Sequence, residues 1–137
     1  MVLLRFRAWL KATKEMHEVD DIVSIDFEKK QICVKTLFFD QLNHYDFDDV
    51  VLMQSTGFRD KNGKEIFEGD IIAIEAENIE APINAKVFCN NEIGILMFHV
   101  FEDNEDSLMA ELLEDNSVAF AVVGNIWEHP ELAEVSS

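Results

Sequence analysis

Leu52-Met53-Gln54-Ser55-Thr56-Gly57-Phe58-Arg59-Asp60-Lys61-Asn62-Gly63-Lys64-Glu65-Ile66-Phe67-Glu68-Gly69-Asp70-Ile71-Ile72 sets two turns and the start of a strand in one short run. Asn62-Gly63, inside Asp60–Lys64, is a reversal signal, because Asn and Gly tolerate the positive φ values that tight turns demand. Glu68-Gly69-Asp70 is a second turn: Gly permits a bend and Asp can accept nearby backbone N–H groups. It feeds directly into Ile71-Ile72-Ala73-Ile74, a β-branched run that reads as a buried strand. The first role of these residues is therefore structural.

Outward from this stretch the chain reads as mainly β. Residues 2–9 alternate, with Leu4, Phe6 and Ala8 on one face and Arg5, Arg7 and Trp9 on the other, and a charged connection follows. Val23, Ile25 and Phe27 alternate in the next run, Glu28-Lys29-Lys30 supplies a polar turn, and Gln31 to Leu37 returns with Ile32, Val34 and Thr36. That pattern predicts a hairpin. Phe38 to Asp49 is mixed, and Val50-Val51-Leu52-Met53 reads as a further buried strand. Ala85–Asn90 and Gly94–Phe101 read as strands joined through Cys89-Asn90-Asn91-Glu92. Asn104 or Asp106 is placed to cap a short helix that carries Leu108, Met109, Leu112 and Leu113 on one side. Val118–Val123 is a continuous apolar run bounded by Gly124-Asn125, after which Trp127 packs near the chain end and Pro130 stops regular structure. From residue 56 onward these elements suit a five-stranded barrel.

Length and composition agree with a folded protein. A chain of 137 residues with 48% hydrophobic content and 11 Phe can bury a core without staples. Cys33 and Cys89 make no disulfide framework, and no secretory signal or long apolar run is present, so the expected location is the cytoplasm. The net charge of −17 is uneven: all 11 basic residues lie in the first 86 positions. Beyond Lys86 the chain carries Glu92, Glu102, Asp103, Glu105, Asp106, Glu111, Glu114, Asp115, Glu128, Glu131 and Glu134 without one Lys or Arg. Such a surface repels phosphate backbones, disfavours direct nucleic-acid binding and favours basic partners. The competing reading is that the acidity serves solubility alone.

Candidate chemistry is sparse. His17, His44, His99 and His129 are scattered, no metal-ligand spacing occurs, and Asp60-x-Asn62 departs from a calcium loop because Glu65 stands where that loop needs Gly. No nucleophile elbow or phosphate-cradling Gly run exists, and Asp46 with Asp48 is a carboxylate pair of the kind that ordinarily forms a solvated face. Arg5, Arg7, Lys11 and Lys14 beside Trp9, and Arg59, Lys61 and Lys64 around the Asn-Gly turn, form two modest basic clusters, with Asp60 and Glu65 balancing the second. The reading is of a non-enzyme without a cofactor or metal.

The run Leu52–Ile72, Arg5-Phe6-Arg7-Ala8-Trp9 and Val123-Gly124-Asn125-Ile126-Trp127-Glu128-His129-Pro130-Glu131-Leu132 together resemble the YopX-like family of phage and prophage proteins. The resemblance implies an SH3-like β-barrel in the C-terminal part, a phage or prophage origin, and no catalytic residues to transfer. Gly57, Asn62, Gly63, Gly69, Asp70, Gly124, Asn125 and Trp127 are the positions that carry its motifs. Leu10 stands where relatives usually have an acidic residue, and the acidic segment 102–115 is longer than typical. The expected organisation is an N-terminal β-rich segment, residues 1–55, and an SH3-like barrel with one short helix, residues 56–137. Exposed strand edges in the first segment make a homo-oligomer one expected form. The expected function is protein–protein interaction through Glu102, Asp103, Glu105, Asp106, Leu108, Glu111 and Leu112, with a host or phage protein as partner and no membrane involved. The alternative is an acidic mimic of nucleic acid that occupies the phosphate groove of a host protein.

Overall fold

The structure, a computed structural model, describes residues 5–35 and 41–133. Expectations resting on residues 2–4, on Thr36, Leu37, Phe38 and Phe39, and on Glu134 lie outside them. The chain is mostly β with one short helix, and it divides into two compact units, Met1–Ser55 and Thr56–Ser137.

In the first unit β1 (Phe6–Leu10) and β2 (Glu15–His17) form an antiparallel hairpin in which Ala8 faces His17 and Leu10 faces Glu15. Lys14, at φ 58°, closes its turn by donating its N–H to the Leu10 carbonyl at 2.9 Å. Only a charged connection was legible here, because a three-residue strand shows no period. Leu10 itself is 4% exposed and belongs to the core. The expected hairpin is present as β3 (Ile22–Asp26) and β4 (Gln31–Lys35), with Asp26 Oδ1 accepting the N–H groups of Glu28 and Lys29 in the turn.

The alternation expected in β3 is displaced. A bulge between Ile22 and Ser24 turns Val23 outward, so Ile22 and Ile25 pack against the core while Val23 is exposed. A single extra residue in one strand has this effect because the side-chain period is two. Phe27 is exposed too, although its ring meets Phe6 at 6.4 Å and Phe47 at 5.9 Å in edge-on geometry. β5 (Leu42–Asp46) adds to β4, making a three-stranded sheet in the order β3-β4-β5. β6 (Val50–Arg59) begins in this unit, where Val50 to Gln54 pair with β1. Ala8, Leu10, Ile32, Val34 and Val50 form the core, with Tyr45, Phe47 and Leu52 against it.

In the second unit the end of β6 lies beside β7 (Glu65–Phe67), and Thr56 Oγ1 donates to the Ile66 carbonyl at 2.7 Å. β8 (Asp70–Ala76), β9 (Ile83–Asn90), β10 (Ile95–Val100), β11 (Glu105–Leu108) and β12 (Val118–Asn125) make one antiparallel sheet in the order β11-β10-β9-β8-β12. This five-stranded sheet is consistent with the SH3-like barrel that the resemblance implies. The helix α1 (Met109–Glu114) follows β11 directly. It starts later than its expected caps: Leu108 occupies the N-cap position with no side-chain cap, Asp106 lies in a strand, and Asn104 sits at φ 53° in the β10–β11 turn. Strand pairing of Glu105–Leu108 with β10 outcompetes the helix start there. The core gathers Ile66, Ile72, Ile74, Ala85, Val87 and Phe98 under Met109 and Leu112 of α1. Among the described residues no helix is long and apolar enough to cross a membrane.

Candidate functional site

Asp60 shows what the first turn is for. The residue is 7% exposed; Oδ1 accepts the N–H groups of Asn62 (2.9 Å) and Lys64 (2.8 Å), and Oδ2 accepts that of Val122 in β12 (2.8 Å). Burial pushes the Asp60 carboxyl up, but the three backbone N–H groups, helped by the Lys64 charge, outweigh it and hold the group below its ordinary value. The turn needs a positive φ only at Gly63, at 82°, and not at Asn62. Sequence reading credited Asn62-Gly63 and passed over Asp60; the Asp-x-Asn-Gly spacing of an Asx turn was the available signal.

The second turn behaves as expected. Asp70 is 1% exposed and accepts the Phe67 N–H at 2.8 Å through Oδ2. The Gly124-Asn125 motif is built the same way: Asn125 Oδ1 accepts the N–H groups of Trp127 (3.0 Å) and Glu128 (2.8 Å), and its amide donates to Glu128 Oε1 (2.9 Å). At Gly124 a Cβ would fall 2.6 Å from His129 Nδ1 and 2.9 Å from Leu132 Cδ1, so the ring and the leucine occupy the space a side chain would need. Gly57 lies in β6, exposed, with open space around it.

The acidic residues singled out in the sequence collect on the β10–β11 hairpin and on α1. Glu102 and Asp103 occupy the turn, Glu105 and Asp106 lie on β11, Glu111 lies on α1, and all are exposed. Leu108 is 37% exposed, whereas Leu112 is 7% exposed and packs in the core, so the expected contact role of Leu112 is corrected to a structural one. The expected helix set Leu108 and Leu112 on one side; the strand assignment of Leu108 separates them.

His99, Phe101, Lys86 and Phe88, assigned no contact role from sequence, frame the site. His99 Nδ1 and Asp106 Oδ1 share a hydrogen bond at 2.6 Å, with the histidine ring edge-on to Phe101 at 5.7 Å. Lys86 Nζ lies 5.7 Å from the centre of the Phe88 ring. The strand period of two in Ile95–Val100 was the signal that places Ile95, Met97 and His99 on one face and Leu96, Phe98 and Val100 on the core side. At the end of α1, the Ser117 hydroxyl and then its N–H bond to Asp115 and lower that carboxyl's pKa.

The basic clusters are locally engaged. Arg7 is 5% exposed, so it is no part of a surface patch. Lys11 Nζ donates to the Asp48 carbonyl, Arg59 donates to the Gly63 carbonyl, and Lys61 pairs with Glu75 at 3.4 Å. Among the described residues no group of three or more His, Cys, Asp or Glu side chains is placed to hold a metal. A depression of about 250 Å³ beside the β8–β9 turn is lined by Glu75, Ala76, Ile79, Glu80, Ala81 and Pro82.

The comparisons with known proteins bear on the whole chain. The family model described as YopX protein matches residues 5–134. The chain belongs to the YopX family. The crystal structure of protein EF1440 from Enterococcus faecalis is 25% identical, with 98% of this chain and 100% of that one covered, at a TM-score of 0.62. Protein yopX from Bacillus subtilis shares the fold at 21% identity, covering 95% of this chain and 98% of its own, at a TM-score of 0.65. No curated protein matches. Neither of these two solved structures bears a name that states an activity.

Proposed function

We propose that this YopX-family chain is a non-enzymatic protein-interaction module, encoded by a phage or prophage and working in the host cytoplasm, whose second unit presents an acidic surface to a basic host or phage protein. The observation that carries this reading is the exposure of Glu102, Asp103, Glu105, Asp106 and Glu111 around one short hairpin and helix, in a part of the chain that holds no Lys or Arg after Lys86. Charge complementarity of this kind steers encounter and selects partners of opposite sign. The hairpin is anchored to the sheet through β10, so the acids are displayed on a fixed element.

Affinity capture from host lysate at low and then high salt tests the reading, with the variant Glu102→Gln, Asp103→Asn, Glu105→Gln, Asp106→Asn as control. Loss of a specific partner by this variant, with the fold intact, supports an acidic interface; equal capture by both proteins refutes it. The seven acids of residues 102–115, unrelieved by a base, favour a second reading, mimicry of a nucleic-acid backbone. Under mimicry the partner is a nucleic-acid-binding protein, and binding falls steeply as salt rises. A contact that also buries Leu108 resists salt.

A further inference from the structure

We propose that the free edge of β11 accepts a basic, extended segment of a partner protein as a sixth strand of the sheet. The proposal rests on the interaction-module reading and specifies the chemistry of its partner. Among the described residues β11 has a strand neighbour on one side only, β10, and stands last in the order β11-β10-β9-β8-β12. An unpaired strand edge offers a row of N–H and C=O groups to any chain that can pair with them.

The register shows what such a chain meets. Phe88, Met97 and Leu108 stand opposite one another on β9, β10 and β11, forming an apolar row that ends at the open edge. Two residues along, Lys86, His99 and Asp106 form a parallel row on the same face, ending at the edge with a carboxylate whose side chain is 51% exposed. Leu108 is 37% exposed, so the row is open at its edge end, and Ile95, beyond Met97 on the same face of β10, is 43% exposed. Directly opposed residues on paired strands lie about 5 Å apart at Cβ, close enough for a guest strand to prolong both rows.

Charge decides between guests. Glu105 and Asp106 carry one sign only, and Glu102 and Asp103 add to it at the turn. Two copies of this edge would set carboxylates against carboxylates, which destabilises pairing. The same charges favour a strand bearing Lys or Arg. Every pairing in the sheet is antiparallel. In that orientation the guest reads apolar-x-basic-basic: an apolar residue beside Leu108, a base beside Asp106, then a base beside Glu105 on the opposite face. The main chain supplies affinity in this mode and the alternate side chains supply specificity.

The test uses the full chain, labelled with nitrogen-15, and a synthetic ten-residue peptide with Val-Thr-Arg-Lys at its centre. A twin N-methylated at those four residues keeps the charge but cannot donate backbone hydrogen bonds. The expected result is amide shifts centred on Glu105–Leu108, with binding weakened about ten-fold or more by N-methylation. Leu108→Lys should weaken the peptide by a similar factor, about ten-fold, while leaving the remaining amide spectrum in place. Equal binding by the twin, shifts centred elsewhere, or no binding at millimolar peptide each overturns the proposal. If lysate capture retains a partner through the acids while the peptide ignores β11, only the strand-addition inference fails. If the peptide docks on β11 while the acid-neutralised variant captures the same proteins as the original chain, the strand site stands and the interaction-module reading fails.

Discussion

Replacing Asp60 with Ala should destabilise the second unit. The carboxylate accepts three N–H groups, from Asn62, Lys64 and Val122. A hydrogen bond to a charged group contributes about 1.5–3 kcal/mol. Asn62 and Lys64 are exposed and can turn to water, so their two bonds are partly replaced, whereas Val122 lies in β12 and packs against the core. One full bond and two halves amount to about 3–6 kcal/mol, and the lower end, about 3 kcal/mol, is taken for the net loss. For a unit of this size that corresponds to a fall in melting temperature of roughly 12–24 °C. Asp60→Asn should lose about 2 kcal/mol, since its NH2 would face the Val122 N–H.

The pH dependence follows from the lowered carboxyl pKa. With the unfolded group titrating near about 3.9, the Asp60 contribution is fully present above that value and is lost as pH falls through the lower folded value. The unsubstituted chain should lose stability below about pH 4, and Asp60→Ala should show a shallower acid slope there. Thermal melts from pH 2 to 7, with hydrogen exchange read at the Val122 amide, measure both effects. A melting temperature for Asp60→Ala within a degree or two of the original, or unchanged protection at Val122, would refute the reasoning.

Three further outcomes follow from the same structure. Gly124→Ala forces a methyl into contact with His129 and Leu132 and should cost about 1–3 kcal/mol in a denaturant melt; relief by a second change, His129→Ala, identifies the ring as the obstacle. Leu112→Ala should cost about 2–5 kcal/mol as a cavity in the core, against less than about 0.5 kcal/mol for the exposed Leu108→Ala; equal losses would contradict the split between the two leucines. Because the net charge is −17, added sodium chloride should raise the melting temperature by screening repulsion, and a flat response would show that repulsion does not limit stability.

The fold was legible where period and turn chemistry agreed. Gln31–Lys35, Ile71–Ala76 and Val118–Asn125 announce themselves by β-branched runs, and Gly69-Asp70 and Gly124-Asn125 by their turn residues. What stayed hidden has physical causes. Glu15–His17 is too short to show a period, the bulge at Val23 reverses the face of β3, and Glu105–Leu108 looks like a capped helix start because its acids suit both states. The acidic surface was legible from composition. The Phe88-Met97-Leu108 and Lys86-His99-Asp106 rows were not, since the register of each hairpin depends on a turn geometry that residues 91–94 and 101–104 leave open. The full role of the Asp60 carboxylate was hidden by distance along the chain, its third partner lying 62 residues away.

That separation bears on synthesis. While the ribosome is still making residues before Val118, β8 has β9 available as a neighbour but lacks β12, and the Asp60 carboxylate lacks its Val122 donor. The nascent second unit thus holds an unpaired edge on a strand rich in isoleucine until nearly all of it has been translated. Loop closure over such a span is slow compared with hairpin formation. A product ending before β12 would leave that edge open to aggregation or to degradation.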